Sequence, residues 1–266
     1  MKILYVAELV GKTGVYVFKK ALKELKKIFP YDFLIVCADG ATGGNGLGMS
    51  HAAYLHKLGA NAITLGECCF YKKDLTENIE KMPYVLRPEN LNPEAPGNGF
   101  RIFKTNKSDE KVAVAVLIGQ NGFTRIHANS PFTALPSLIE KLKKQTPYII
   151  IDFHAQASAE KKTFFYAADS LCSAVIGSHT RIQTSDEKIM PGGCAVISDA
   201  GRTGSQISVG GCDINSRINE YMTGIQDWTK EAWNGLELQG VYMDIGKDGK
   251  AVSIERVRVK VEQEKH

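Results

Sequence analysis

The chain has 266 residues and a mass of 29.2 kDa, and 44% of its residues are hydrophobic. This composition is typical of a globular protein with a sizeable core, and a charged fraction of 23% excludes wholesale disorder. Lys and Arg number 33 against 29 Asp and Glu, a surplus too small to indicate nucleic acid as the main partner. No apolar run approaches the roughly 20 residues of a membrane-spanning helix, so we expect no membrane association.

The cysteines and the first residues predict a reducing compartment. The six cysteines form no CxxC pair, and Glu8 closely follows the first apolar run, which is typical of a strand rather than a signal peptide. We therefore expect free thiols and a cytoplasmic location. Cys37, Cys172 and Cys194 lie in apolar runs typical of core strands, whereas Cys68 follows a strand and lies in a loop.

The first 84 residues alternate between strand and helix patterns. Short apolar runs predict buried strands at 3–7, 34–37 and 62–65. Apolar residues at helical spacing predict helices at 15–29, 50–58 and 72–81. Strands that alternate with helices in this way indicate a largely parallel sheet with helical crossovers.

The pattern changes after residue 84. A hairpin is predicted at 101–103 and 112–118, and a helix at 134–144 precedes the apolar strand 148–153. Further strands are predicted at 173–176, 195–198, 239–245 and 252–259. Because no linker, repeat or low-complexity segment divides the chain, a single domain over residues 1–266 with two packed sheets is the simplest interpretation.

Five predicted strands are closely followed by acidic or histidine side chains. These residues are Glu8, Asp39, Glu67, His154 and His179. Taken singly, each is explained by a helix cap, a solvated acid or a histidine bonded to backbone. Together they share the carboxyl ends of strands, where chemistry gathers in α/β folds. Mixed carboxylate and imidazole donors at one edge of a sheet predict a metal site.

Two motifs resemble a known family: Asp152-Phe153-His154-Ala155 after one strand, and Gly177-Ser178-His179-Thr180 with Ile182-Gln183-Thr184 after the next. The YmdB-type metallophosphoesterases carry similar motifs in the same order, together with Arg87-Pro88-x-Asn90 and Asp199-x-Gly201-x-Thr203-Gly204. They belong to the calcineurin-like phosphoesterases and include 2′,3′-cyclic-nucleotide phosphodiesterases. The resemblance extends over nearly the whole chain and implies an α/β class with a calcineurin-like α/β/β/α sandwich of two mixed sheets flanked by helices.

The second metal position of the family is matched in this chain. The resemblance assigns its ligands to Asp39, which stands for a bridging Glu, and to His154 and His179. Glu67 stands where the family has a ligating Asn. This donor set suits one divalent transition metal, Mn, Fe or Zn.

The first metal position is not preserved. Glu8 replaces an Asp, Gly40 replaces a ligating Asn, and Arg181 replaces the last ligating His. An arginine has no lone pair to offer and stays protonated, so we expect no second metal. We hypothesise that Arg181 takes the electrostatic place of that metal, pairs with Glu8 and binds the substrate phosphate.

The catalytic His of the family is replaced by Cys68, a candidate catalytic residue. A thiol with an ordinary pKa of about 8.5 is a poor substitute for an imidazole at neutral pH, and the sequence offers no base beside it. Arg125 and His127 lie in the predicted loop 121–131, which we expect to cover the site. They are candidates for substrate binding, with solvated side chains as the alternative.

Two functions follow from these observations. The resemblance implies a metal-dependent phosphodiesterase that acts on a phosphate ester or nucleotide, with at most one intact metal site. The lost residues leave a second hypothesis, a catalytically impaired protein that binds a nucleotide, phosphate or protein partner. The resemblance is also compatible with a homo-oligomer.

Overall fold

Two β-sheets lie face to face in the computed structural model of the chain, which describes residues 1–105, 109–226 and 230–263. The helices are α1 (Gly11–Ile28), α2 (Met49–Lys57), α3 (Lys73–Thr76), α4 (Pro131–Lys143), α5 (Ser158–Ala168) and α6 (Ile214–Thr223). A 3-10 helix spans Ile79–Lys81. The strands are β1 (Lys2–Val6), β2 (Glu8–Leu9), β3 (Phe33–Cys37), β4 (Ala62–Thr64), β5 (Val85–Leu86), β6 (Phe100–Lys104), β7 (Lys111–Ile118), β8 (Ile149–His154), β9 (Ala174–Ser178), β10 (Lys188–Ile189), β11 (Ala195–Ile197), β12 (Arg202–Ser205), β13 (Leu236–Ile245) and β14 (Ala251–Lys260).

The first sheet combines parallel and antiparallel strands. Its order is β2, β12, β13, β1, β3, β4 and β5, and β14 pairs with β13 outside that path. The strands β1, β3, β4 and β5 run parallel to one another, as expected for strands joined by helical crossovers. β13 and β14 pair as an antiparallel hairpin. All five residues of β3 are buried, which explains the continuous apolar run in the sequence.

The second sheet has the order β10, β11, β9, β8, β7 and β6. Its central strands β7, β8, β9 and β11 are parallel, and β6 and β10 pair antiparallel at the two edges. The register places Ile118, His154 and Ser178 side by side at the carboxyl ends of three neighbouring strands.

The core has three apolar layers. The middle layer joins the two sheets, for example through Ile35 of β3 and Ile150 of β8. Helices α1 and α2 cover the outer face of the first sheet, and α4 and α5 cover that of the second. The expected α/β/β/α sandwich is therefore confirmed. No helix within the described residues is both long and apolar enough to cross a membrane.

Three helices differ from the sequence predictions. The helix expected at 72–81 is divided into α3 and the 3-10 turn, and the side chains of Thr76 and Asn78 bond to the backbone carbonyls of Lys72 and Asp74 there. Neither α5 nor α6 was predicted. Helix α5 buries the charged Glu160 and Lys161, so its sequence lacks the usual amphipathic pattern, and α6 has no buried residue.

Candidate active site

The carboxyl ends of strands from both sheets meet at one edge of the molecule. In the first sheet, Glu8, Asp39 and Glu67 lie within three residues of the ends of β1, β3 and β4. In the second sheet, His154 is the last residue of β8, and His179 directly follows β9. The structure thus brings together the residues that the sequence placed at strand ends.

Glu67 lies between the two histidines. Its Oε2 contacts Nε2 of His154, and its Oε1 lies 3.2 Å from Nδ1 of His179. One ligand atom from each of these three residues falls within 4.8 Å of the others. This spacing suits a single bound cation.

Asp39 joins this group from the first sheet. Its Oδ2 lies 3.9 Å from Nε2 of His154, and its two oxygens accept backbone N–H bonds from Gly66 (2.7 Å) and Cys68 (3.1 Å). These bonds hold the loop that carries Glu67. A Cβ at position 66 would overlap the His154 ring, so only glycine fits there. We define the ligand cluster as Asp39, Glu67, His154 and His179.

The ionisable groups of the ligand cluster shift one another strongly. Burial by itself lowers the pKa of His154, but the carboxylates of Glu67, Asp39 and Glu8 raise it to about 9. Burial and the charge of Glu67 raise the pKa of Asp39 to about 7. Burial opposes ionisation of Glu67, yet His154 and His179 hold its pKa well below the usual range. The shifts of His154 and Asp39 reflect crowded negative charge that attracts a proton or another cation, whereas the shift of Glu67 reflects the two imidazoles beside it.

The chemistry of these donors fits a divalent metal. Three carboxylates, on Glu8, Asp39 and Glu67, face one guanidinium, on Arg181, which leaves an excess of two negative charges when the imidazoles are neutral. Two imidazole nitrogens and two carboxylates are a common donor set for Mn, Fe and Zn. The ligand cluster would hold the ion that this class of fold implies.

Arg181 stands at the position where the resemblance places the last histidine ligand of the first metal. Its Nε and Nη2 donate to the same oxygen of Glu8, at 3.0 and 2.7 Å. The guanidinium also donates to the backbone oxygens of Gly44 (3.0 Å) and Gly210 (3.3 Å). Among the described residues, these bonds use four of its five N–H groups and leave one on Nη1. The expected pairing with Glu8 is present.

The Arg181 guanidinium lies next to Gly40, where no side chain is present. A Cβ on Gly40 would lie 2.7 Å from Glu8 Oε1 and 2.8 Å from Arg181 Nη2. Real Cβ atoms do not come this close, so a side chain at position 40 would have to displace the Glu8 carboxylate and the Arg181 guanidinium, and its Cβ would also lie 3.1 Å from the carbonyl oxygen of Leu9. The two departures from the family that the resemblance predicts at positions 40 and 181 are therefore adjacent in space.

The loop after β9 is held in an unusual backbone conformation. His179 and Arg181 have φ values of 97° and 60°, in the left-handed region that non-glycine residues rarely adopt. Between them, the backbone N–H and the hydroxyl of Thr180 donate to Asp199 at 2.8 and 2.7 Å. Asp199 pairs with the buried Lys161, which also donates to the carbonyl of Ser178. Sequence reasoning missed this pair because it lies on other elements.

Cys68 lies beside the carboxylates as a protonated thiol. It is buried, and burial together with the charges of Asp39 and Glu67 raises its pKa far above the ordinary value. This environment opposes a nucleophilic thiolate. Cys37, Cys172 and Cys194 are buried free thiols, as the sequence predicted.

A cavity of about 260 Å³ opens beside the ligand cluster. Its lining is Glu67, Tyr71, Gly122, Phe123, Thr124, Arg125, Ile126 and His179. The ring of Phe123 packs against His179 with 4.9 Å between ring centroids. Arg125, predicted to bind substrate, is exposed and lines this cavity, whereas His127 is exposed and is not among the lining residues in the described part of the chain. Phe123 was not predicted, because an aromatic residue in a polar loop has no distinctive spacing.

A second group of polar residues, to which the sequence analysis gave no role, lies behind His154. The buried carboxylate of Asp152 accepts hydrogen bonds from Tyr5, Thr64 and Ser178. Burial and the charge of Asp152 raise the pKa of Tyr5 well above its ordinary value, so Tyr5 keeps its proton. The sequence signals are that Asp152 is a charged residue within an apolar strand and that Asp152 and Ser178 belong to the two motifs that resemble the family.

Sequence comparison identifies relatives over almost the whole chain. The sequence model of a family described as YmdB-like protein matches residues 4–257. The 2′,3′-cyclic-nucleotide 2′-phosphodiesterase of Bacillus subtilis (strain 168) is 35% identical over 260 residues, which cover 97% of each chain.

Solved structures share the fold. The structure of a novel phosphatase from Mycoplasma pneumoniae matches with a TM-score of 0.89 and 30% identity, covering 98% of this chain and 93% of that one. A 5′-nucleotidase precursor from Thermus thermophilus matches with a TM-score of 0.59 and 10% identity, covering 98% of this chain and 54% of that one, which shows the fold alone. The fold is that of the calcineurin-like phosphoesterases. Within this class, the chain belongs to the YmdB-like family.

Proposed function

We propose that this protein is a metal-dependent phosphoesterase that hydrolyses nucleotide phosphodiesters of the 2′,3′-cyclic class. The observation that carries this proposal is the convergence of Glu67, His154 and His179 on one point beside the Arg181–Glu8 pair. The family supports it, because the Bacillus relative is named as a phosphodiesterase for these substrates. The names of the relatives do not favour the impaired, binding-only alternative.

The site as we propose it uses one divalent ion, Mn, Fe or Zn, in the ligand cluster. Such an ion supplies Lewis-acid polarisation of a phosphoryl oxygen and a more acidic water. Asp39 and Glu67 enter from the first sheet, and His154 and His179 from the second. A second ion is not part of the proposal, because the Arg181 guanidinium fills that position.

The other residues of the site bind and orient the substrate in this proposal. Arg181 supplies a fixed positive charge and one remaining Nη1 N–H for a phosphate oxygen. Arg125 lines the cavity and provides a second cation for the phosphate or nucleotide, and His127, in the same loop, is kept as a weaker candidate. Phe123 shields the histidines from water. Cys68 offers a weak acid near the leaving oxygen.

We further propose that the chain works as one domain over residues 1–266, because the ligand cluster needs both sheets. The described cysteines are free, which supports the proposed reducing, cytoplasmic setting. The three residues at the C-terminus, 264–266, lie outside the described ranges.

The proposal is tested by metal content and turnover on the same preparation. We expect about one transition metal per chain by mass spectrometry, and Mn-dependent hydrolysis of bis-p-nitrophenyl phosphate and of 2′,3′-cyclic AMP. His154→Ala should remove both the metal and the activity, because it deletes a buried ligand from the cluster.

The matched control is His56→Ala. His56 bonds to the carbonyl of Ala60 and stacks on Tyr84, outside the ligand cluster, so metal content and rates should stay within about twofold. A protein that binds one metal per chain but hydrolyses neither substrate would contradict the enzyme proposal. Equal losses of metal and activity in His154→Ala and His56→Ala would contradict the proposed location of the metal site.

A further inference from the structure

We infer that Asp152 and Ser178 are positioning residues that keep the proton of His154 on Nδ1 and direct Nε2 into the ligand cluster. The inference rests on the proposed function only in assigning Nε2 to a cation. Its basis is a chain of hydrogen bonds that is buried where the two sheets meet.

The chain of hydrogen bonds begins at the carboxylate of Asp152. Its Oδ2 accepts from the Tyr5 hydroxyl (2.7 Å) and from Thr64 Oγ1 (2.5 Å), and its Oδ1 accepts from Ser178 Oγ (2.7 Å). A carboxylate accepts hydrogen bonds and does not donate them. Each of the three hydroxyls therefore directs its single proton to Asp152.

Ser178 consequently presents a lone pair to His154. The two residues are register partners on β9 and β8, and Ser178 Oγ lies 2.9 Å from His154 Nδ1. Because the serine proton already points to Asp152, Nδ1 must be the donor in this bond. When a bound cation takes the place of the proton on Nε2, a proton held on Nδ1 leaves the lone pair on Nε2, the nitrogen that faces Glu67 and Asp39.

Burial makes this arrangement specific. Asp152 is 2% exposed, Ser178 is 3% exposed and His154 is 1% exposed, so bulk water does not offer alternative partners. Tyr5 and Thr64 belong to the first sheet, whereas Asp152 and Ser178 belong to the second. The orientation of His154 is thereby tied to the packing of one sheet on the other.

The first test compares two serine substitutions on zinc-loaded protein. Ser178→Ala removes the acceptor for Nδ1–H, and we expect zinc affinity to fall about 10- to 100-fold, the usual effect of losing such a partner. Ser173→Ala is the matched control, because Ser173 directly precedes the first residue of β9. It is also fully buried and bonded to β8, through the N–H of Ile149, and should change zinc affinity less than about twofold.

The second test reverses the chain of hydrogen bonds. In Asp152→Asn, the new amide NH₂ donates to Ser178 Oγ, and the serine proton turns to Nδ1 of His154. The proton of the imidazole is then favoured on Nε2, which blocks the ligand position. We expect a larger loss of zinc affinity than in Ser178→Ala. Ser178→Thr keeps the hydroxyl, so this variant should retain most of the zinc affinity that Ser178→Ala loses.

The direct readout is ¹⁵N NMR of histidine-labelled, zinc-loaded protein. In the unmodified chain, His154 should show a zinc-bound Nε2 and a slowly exchanging Nδ1–H, and Ser178→Ala should lose the slow exchange. Zinc bound to Nδ1, or equal zinc affinities in Ser178→Ala and Ser173→Ala, would overturn the inference. These readouts do not depend on turnover, so an inactive protein with the expected spectrum would refute the proposed function and leave this inference standing.

Discussion

At the scale of single residues, an ion pair lies where the resemblance places the first metal position of the family. Glu8 is 2% exposed and would be a costly unpaired charge without Arg181. Arg181 reaches it because Gly40 has no side chain. The guanidinium brings one positive charge where an ion would bring two, and it cannot coordinate water. This difference makes a one-ion site the expected state of the protein.

The exclusion between position 40 and Arg181 predicts a double-mutant cycle. Gly40→Asn alone should lower the free energy of unfolding by about 1–3 kcal/mol, as overpacking does. Arg181→His removes the guanidinium and frees the Glu8 carboxylate to turn away, so the penalty for Asn at position 40 should become smaller. The double variant should bind two Mn ions per chain. Urea unfolding and metal analysis by mass spectrometry measure both effects.

Gly43→Asn is the control for this cycle. A Cβ at Gly43 meets nothing within 4 Å, and its φ of 65° is one that Asn tolerates. Its effect on stability should be below about 1 kcal/mol and the same in both backgrounds. Two ions in the unmodified chain, or strictly additive stabilities, would show that Arg181 does not occupy a metal position.

The thiol of Cys68 predicts a gain of function. Its raised pKa keeps it protonated and makes it a poor acid, whereas the resemblance implies a His at this position in the family. Cys68→His should raise kcat on 2′,3′-cyclic AMP by about tenfold or more, because a positioned general acid contributes about 10²–10⁴. Cys68→Ala should lower kcat by less than about tenfold. A greater loss in Cys68→Ala would establish a stronger catalytic role for the thiol.

At the scale of elements, the segment between β9 and β11 is held by two carboxylates. Asp199 accepts from Thr180 and pairs with Lys161. Asp186 accepts from Thr184 and from the backbone and hydroxyl of Ser198. These bonds fix the two ends of the loop that carries His179 and Arg181. A catalytic loop of this length needs such anchors to hold left-handed residues in place.

Asp186 predicts a pH dependence of stability. Burial would raise its pKa, but hydrogen bonds from Lys162, Ser198 and Thr184 lower it below the ordinary value of about 3.9. A folded-state pKa below the unfolded one gives stability that is present above about pH 4 and lost as the pH falls further. Asp186→Asn should therefore be less stable than the unmodified chain at pH 7, and the difference should shrink towards pH 3.

Urea unfolding at pH 7, 5 and 3 measures this difference. Asp109→Asn, at an exposed position, is the control. The difference in unfolding free energy between this variant and the unmodified chain should stay small at all three pH values. A difference between Asp186→Asn and the unmodified chain that persists undiminished at pH 3 would show that the ionised carboxylate is not what stabilises the segment.

At the scale of the whole molecule, the candidate site exists only where the two sheets are packed together. Asp39 and Glu67 come from one sheet, and His154 and His179 from the other. The middle apolar layer sets their separation, and the hydroxyls of Tyr5 and Thr64 cross that layer to Asp152. A close-packed core transmits small shifts, so packing of the two sheets directly affects the geometry of the ligand cluster.

Much of the architecture could be predicted from local pattern. Continuous apolar runs identified strands such as β3 and β8, because strands buried on both faces need apolar residues at every position. The sequence also identified Glu67, His154 and His179, because each closely follows such a run. Helix α5 escaped prediction since Lys161 is buried against Asp199, a partner 38 residues away.

The amino-acid sequence by itself determined the sheet-and-helix order, the family and the chemical types at the site, since these depend on local periodicity and on residue identity. Only the tertiary structure decided which partners these groups have. It placed Glu67 between His154 and His179, brought the position of a Cβ at Gly40 within 2.8 Å of Arg181, and placed Ser178 and Asp152 behind His154. Contacts of this kind depend on how the two sheets pack, and no local pattern encodes a distance between residues on different sheets.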